Sequence, residues 1–384
     1  MNKSNAILIL VSLLLLPAGC TRTLAEMRDE TPVALVFNTP AVGPSTKADP
    51  GAPNAEMGVN YSTSEHFSVY ALAHTAPFAS LTTPAELSNY YIENEECEWE
   101  PSINAWAPQH PYFWLPPAVG SFYLSFQAYS PSAARDDCSV SHDWTGGFSF
   151  SGFRPRAVGS QYDLLYSDRH LDKQRPDYTP GVPYDEISGD GAAYNGIDIR
   201  FRHALSSIRF KIKANVDEHA IQTIRLQSIR VINVWDKASF AQHLDGGTPV
   251  WTPDGDAAEV SYYAYRNTGA AASGVQLTST PYVAPDLLLL IPQNLDHGTN
   301  HVKIEVRYSR TTGGSTSITT DTIDLVTGKS GSYFQYDDGG TPVNIEEWKM
   351  GYRYNYNFTV NLFKIFVDPT VDHWNDRGSI EIDI

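Results

Sequence analysis

Apolar residues recur at every second position along much of this chain. The clearest case is YRYNYNFTVNL, where Tyr352, Tyr354, Tyr356, Phe358, Val360 and Leu362 alternate with Arg353, Asn355, Asn357, Thr359 and Asn361. A period of two puts one set of side chains on each face of a strand, which a helix cannot do. Val302, Ile304, Val306 and Tyr308 repeat the pattern against Lys303, Glu305 and Arg307, while DLLLLIP (286–292) reads as a strand covered on both faces. Strands are also predicted at 33–39, 66–73, 121–131 and 197–214, with the turn clusters DGG (245–247), TTGG (311–314) and DDGG (337–340) punctuating the chain. The stretch 197–214 changes phase: Phe201, His203 and Leu205 share one face, whereas Ile208, Phe210 and Ile212 take the other parity. A bulge near Ser206 and Ser207 would reconcile the halves. Helix signals are sparse, the best being TPAEL, with Thr83 as cap, Pro84 at the first helical position and Glu86 completing a capping box.

Many short strands, regular turns and almost no helix predict an all-β chain of sandwiches or barrels. Aromatics at 12%, with 22 tyrosines, lean the same way. The length exceeds one typical core and suits two domains. The stretch EISGDGAAYNG (186–196) is the least apolar near mid-chain and marks the boundary, giving β-sandwiches over 48–190 and 191–384.

The first residues belong to neither. Residues 1–19 carry Lys3, an apolar run of about 11 residues from Ala6 to Leu16, and small residues before Cys20. A membrane-spanning helix needs about 20 residues, so this is a secretion signal. Small residues directly before a cysteine resemble the lipobox of bacterial lipoproteins, in which Cys20 becomes the lipidated first residue. Pro17 stands where that pattern has leucine, with Leu16 one step earlier. Lipid on Cys20 would tether the chain to a membrane without spanning it. Losing Lys3 with the leader takes the formal net charge from −17 to −18. Such an acidic surface excludes nucleic acid and anionic head groups as partners. Cys97 and Cys138 remain in an oxidising compartment, as one disulfide or as two unpaired thiols.

Chemistry is thin. The sequence has no nucleophile elbow, no zinc-binding cysteine pairs and no phosphate-cradling glycine loop, so neither catalytic residues, nor metal ligands, nor a cofactor are predicted. His297 and His301 stand four apart, but Gly298 and Asn300 make DHGTNH a turn, which predicts two solvated loop histidines. His203 on an apolar strand face predicts a hydrogen-bonded core histidine. DGD (254–256) reads as a turn, lacking the rest of a calcium loop. Trp99, Trp106 and Trp114, if exposed, could stack on sugar rings, which keeps a surface glycan-binding lipoprotein of a nutrient-uptake system as the alternative function; the other reading is core or inter-domain packing, which is the one expected for Trp114 in PYFWLPP.

Cys20, FSVYALA (67–73), YFWLPP (112–117) leading into SFQAYSP (125–131), YDLLYS (162–167), FRHALSSIRFKI (201–212), LLLLIPQNL (287–295) and WKMGYRYNYNFTV (348–360) follow one another in an order and spacing. Together they resemble the fimbrillin family, the Mfa-like or FimA-like subunits of type V pili of Gram-negative gut and oral bacteria. The resemblance covers nearly the whole chain after the leader, and FRHALSSIRF is its most specific stretch. It implies two transthyretin-like β-sandwich domains, export as a lipoprotein to the outer membrane, and assembly with other fimbrial subunits by β-strand exchange. It further implies that a protease cuts a basic site after the first strand, which then leaves. Residues 20–47 are the corresponding prosegment, with Val33, Leu35 and Phe37 on one face of the strand. Where the family usually reads Thr-Arg-Ala this chain has Thr46, Lys47 and Ala48, so Lys47 is the expected cut, by a lysine-cleaving or trypsin-like protease, or else a plain loop lysine. The donor would be GSIEIDI, with Ile380, Ile382 and Ile384 on one face, unless that strand pairs within its own domain. Shaft, tip and anchor positions in the fibre all stay open, as does a host protein or glycan as adhesive ligand.

Overall fold

The computed structural model describes residues 33–38, 40–42, 61–115, 122–175, 196–215, 222–298, 300–327, 333–338, 340–361 and 365–373. Within them the chain is all-β, with three apolar layers. Phe67–His74 lies at the middle of the first large sheet, flanked by Tyr90–Glu100 and Tyr123–Ser130. Beyond these, Ala105–Pro108 ends one side, and Leu165–Ser167, Arg200–His203 and Ala41–Val42 follow in turn on the other. This sheet is buried on both faces, which explains why FSVYALA looks almost continuously apolar. Phe67, Val69 and Ala71 enter one core; Tyr70 and Leu72, of opposite parity, enter another.

The second of these cores lies under a four-stranded sheet that draws on both halves of the sequence. Ser139–Asp143 and Gly147–Phe153 come from the first half, Ala238–Ala241 and Val250–Pro253 from the second, with Phe150 paired to Phe240. A buried polar network ties this sheet to the large one: Gln127 Nε2 donates to Gln242 Oε1 (3.0 Å), Gln242 Nε2 to the Ser167 carbonyl (2.9 Å), and His142 Nε2 to Gln127 Oε1 (2.8 Å).

The third core is a sandwich. One sheet runs from Ser206–Ala214 through Tyr352–Val360 to Ile365–His373; the other runs from Glu259–Arg266 through Gln222–Trp235 and Lys303–Thr312 to Ser315–Asp324. Tyr354, Tyr356, Phe358 and Val360 stand beside Ile208 and Phe210 of the same sheet and share one core with Ile229 and Ile304 of the other. The phase change in 197–214 is a change of sheet rather than a bulge. Arg200–His203 pairs with Leu165–Ser167 in the large sheet, while Ser206–Ala214 pairs with Tyr352–Val360 in the sandwich. Ala204 and Leu205 make the crossing, so the exchange of cores falls after residue 203. The helix at Pro84–Leu87 carries its capping box, Thr83 accepting from the Glu86 amide.

At the crossing, His203 Nδ1 and Asp163 Oδ2 meet at 2.6 Å, with both side chains buried, so His203 is the hydrogen-bonded core histidine the pattern predicts. Burial holds two histidines, His142 and His170, neutral. Burial pushes the His142 value from its ordinary 6.5 to about 3, and its Nδ1 accepts from the Tyr90 hydroxyl. Burial takes His170 to about 4, where its Nε2 accepts the Arg200 amide. Because both folded values lie below 6.5, the unfolded chain takes up protons first as the pH falls. Stability is therefore lost from pH 6.5 downward, at about 2 kcal/mol per histidine by pH 5. Urea unfolding at pH 7 and pH 5 should show the fall, with His142→Gln showing a smaller one; equal stability at the two pH values would contradict this account.

Candidate functional site: a groove filled by the first segment

Residues 33–42 sit between the two ends of the large sheet. On one side the Leu35 amide donates to the Tyr112 carbonyl (2.8 Å), the Phe37 amide to Trp106 (2.8 Å), and the Trp106 amide returns to Phe37 (3.0 Å). Across the segment, the Ile197 amide donates to the Val36 carbonyl (2.8 Å) and the Asn38 amide to Ile197 (3.0 Å). Further along, Ala41 and Val42 run parallel to Arg200 and Phe201. The segment pairs through isolated bridges, Ala34 with Phe113 and Phe37 with Trp106 and Ile197, rather than through one regular ladder. The alternation of its side chains nevertheless decides what is buried. Leu35 and Phe37 are 1% and 0% exposed, Val33 is half-buried, and Ala34 faces water.

Phe37 fills the centre of the groove. Its ring meets Phe67 edge-on at 5.5 Å and Phe126 at 5.8 Å. Tyr61, stacked on Phe201 at 5.4 Å, closes one end, and its hydroxyl lies 2.6 Å from Ser130 Oγ. Cys97 lines the wall, and burial raises its thiol far above the ordinary value. Cys138 lies across the sheet against the other core, where burial pushes it to about 12. The two cysteines are free thiols, not a disulfide, because they face opposite layers of one sheet.

The tryptophans are not displayed for sugars. Trp106 and Trp114 are 0% and 5% exposed in the groove wall, and half-buried Trp99 packs edge-on against Trp106 at 4.5 Å. Nor is His297 solvated: its side chain is 3% exposed, stacked on Trp235 at 4.5 Å, with Nδ1 3.1 Å from Glu259. His301 Nδ1 pairs with Asp324 at 2.9 Å. In DGD, Asp254 and Asp256 both contact Lys237, which supplies the cation. Among the described residues no group of three or more ligating side chains could hold a metal ion, and no helix is long and apolar enough to cross a membrane. Cys20, Lys47, Ile380, Ile382 and Ile384 lie outside the described residues.

Four groove residues were not singled out in the sequence. Val42 is 4% exposed and extends the buried face beyond Phe37. Ile197 and Ile199 continue the parity of Phe201 and line the same core. Gly196, taken as the end of a linker, is a packing residue. It has φ +98°, and a Cβ there would lie 2.6 Å from the Asn38 nitrogen and 2.7 Å from the Phe37 carbonyl carbon. Only glycine lets the segment come so close.

The fold and groove define an all-β protein whose first sheet is completed by a segment from near its N-terminus. The fimbrillin-like family profile matches residues 54–374, and the chain belongs to that family. As a member it is a fimbrial subunit of the cell surface. No curated protein matches it. A fimbrial protein from Bacteroides vulgatus ATCC 8482 is similar in structure, with 16% identity, TM-score 0.55, and coverage of 88% of this chain and 100% of that one. A candidate cell adhesion protein from Bacteroides uniformis ATCC 8492 has 12% identity, TM-score 0.46, and coverage of 90% and 99%. The tip fimbrial protein Mfa3 from Porphyromonas gingivalis has 8% identity, TM-score 0.32, and coverage of 90% and 100%. The first of these likenesses speaks for the fold.

Replacing Gly196 with Ala should loosen the segment without touching its side chains. The strain of a non-glycine residue at positive φ is about 1–3 kcal/mol, and the clash with Asn38 adds to it. Hydrogen exchange at the Phe37 and Asn38 amides should accelerate by about tenfold or more, while the Tyr356 and Phe358 amides of the far sandwich stay protected. Unchanged exchange at Phe37 would remove Gly196 from the groove's design.

Proposed function

We propose that this is a non-catalytic structural and adhesive subunit, exported as a lipoprotein and polymerised by replacing its own first segment with a neighbour's strand. Cys20 carries the lipid that holds the precursor at the outer membrane. Cleavage after Lys47 separates residues 33–42 from the body of the chain, and the groove then receives a strand from another subunit. Ile380, Ile382 and Ile384 are the donor face.

The observation that carries this reading is the burial of Leu35, Phe37 and Val42 between two sheet ends. Three such side chains contribute roughly 5–9 kcal/mol, against about 5–15 kcal/mol for a whole domain. Once emptied, the groove would present Trp106 and Ile197 backbone groups and an apolar trough, so a replacement strand gains both hydrogen bonds and burial. The donor face repeats the spacing it replaces, since Ile380, Ile382 and Ile384 alternate as Val33, Leu35 and Phe37 do. The non-catalytic reading is supported by the work the buried histidines already do in packing and pairing.

Terminal sequencing of protein recovered from the cell surface tests the proposal. The expected start is Ala48, accompanied by oligomer ladders in unboiled gels that disappear in Lys47→Ala. A chain that still starts at lipidated Cys20 while forming such ladders would overturn it.

A further inference from the structure

The edges of the second sandwich differ in how they are protected. Tyr282–Val283 and Leu288–Leu290 form one edge in two short pieces. Glu259–Arg266 forms another and is broken by register shifts against Gln222–Trp235. A third, Ile365–His373, carries Asp368, Pro369 and Asp372, and its Val371 shares a groove with Tyr336 and Val343 of an overlying hairpin. Short pieces, bulges, proline, charge and cover are the means by which sheets avoid pairing with other chains.

Ser315–Asp324 has none of these over its first six residues. It pairs with Lys303–Thr312 at ten consecutive positions without a register shift, and the tight turn at Gly313 and Gly314 (φ +56° and +84°) joins the two strands. Among the described residues no strand pairs with its far side. Residues 315–320 are Ser, Thr, Ser, Ile, Thr and Thr, without charge or proline and rich in β-branched side chains. Thr316, Ile318 and Thr320 stand exposed on one face, with Ile318 at 48%.

We propose that Ser315–Asp324 is a self-association edge that pairs antiparallel with the same strand of a second copy, about a two-fold axis at Ile318. The charge pattern selects a second copy as the occupant. With Ile318 opposite its counterpart, Thr316 faces Thr320 of the second copy and Asp321 faces its Ser315, while Asp324 lies past the end of its strand, where that chain has turned back at Gly313 and Gly314. No like charges oppose each other, although the whole chain has a net charge of −17. The Ile and Thr pairs are the cross-strand contacts that stabilise a sheet. A two-fold contact closes on itself and adds no further copies, so it joins two subunits side by side rather than end to end. The edge lies in the other sandwich from the groove, and it works whether or not the groove exchanges strands.

Sedimentation velocity of the full chain with Cys20→Ser and Lys47→Ala, between about 1 and 100 µM, measures this contact without lipid or cleavage. A dimer should form within that range. Ile318→Lys, at an exposed position that the fold tolerates, should weaken it by about tenfold or more. Phe366→Lys, which removes an equally exposed apolar side chain from the opposite sheet, should leave it unchanged. A monomer throughout, a dimer indifferent to Ile318→Lys, or equal weakening by both substitutions would overturn the proposal.

Discussion

A sheet that is apolar on both faces cannot leave its ends open to water, and in this protein one short segment covers both ends at once. Phe37 exchanges backbone hydrogen bonds with Trp106 on one side, while Val36 and Asn38 bond Ile197 on the other. Phe37 completes the aromatic cluster of Phe67, Phe126, Tyr61 and Phe201. Most of what distinguishes the first half of the molecule follows from this. The large sheet needs a filler supplied from outside its hairpin-connected strands, and the chain supplies it from near its beginning.

That arrangement stabilises strongly but specifies little. The groove asks for apolar side chains at alternate positions and for free backbone groups, and the isolated bridges around Ala34 and Phe37 show that it does not even demand a regular ladder. A second strand with the same alternation would satisfy it equally well. By contrast, the second sandwich closes its core with strands from its own sequence, and its parallel pair Ser206–Ala214 and Tyr352–Val360 is covered on both flanks. The two halves are also stitched by the Phe150 and Phe240 pairing and by the Gln127, Gln242 and His142 network. Exchange at the groove can therefore proceed without loosening the rest.

Much of this was legible in the residues, because period-two alternation reports which face of a strand is dry. It found Tyr352–Val360, Lys303–Thr312 and the Leu35 and Phe37 pair, and it noticed that residues 197–214 change parity. Alternation is blind to which sheet a strand joins, so the crossing at Ala204 and Leu205 looked like a bulge. It is also blind to partners distant in sequence, and the sheet that joins Gly147–Phe153 to Ala238–Ala241 left no local trace. Gly196 was hidden for another reason: a glycine needed for close approach and a glycine in a linker have the same letter. Trp106 misled because it sits near polar and proline residues, yet faces the groove, whereas Trp114 is buried as PYFWLPP suggests.

The central claim is that the first segment must leave its groove before subunits can join end to end. Ala34 and Phe113 offer a direct test, since they face each other at the groove's mouth between the flanking bonds Leu35 to Tyr112 and Trp114 to Val33. Such a non-hydrogen-bonded pair brings its side chains close enough for a disulfide. In the double variant Ala34→Cys, Phe113→Cys, cut after Lys47, oxidised protein should form no end-to-end polymer and should polymerise once the bond is reduced. Assembly at the same rate in both states, with the segment still fastened in place, would contradict the account.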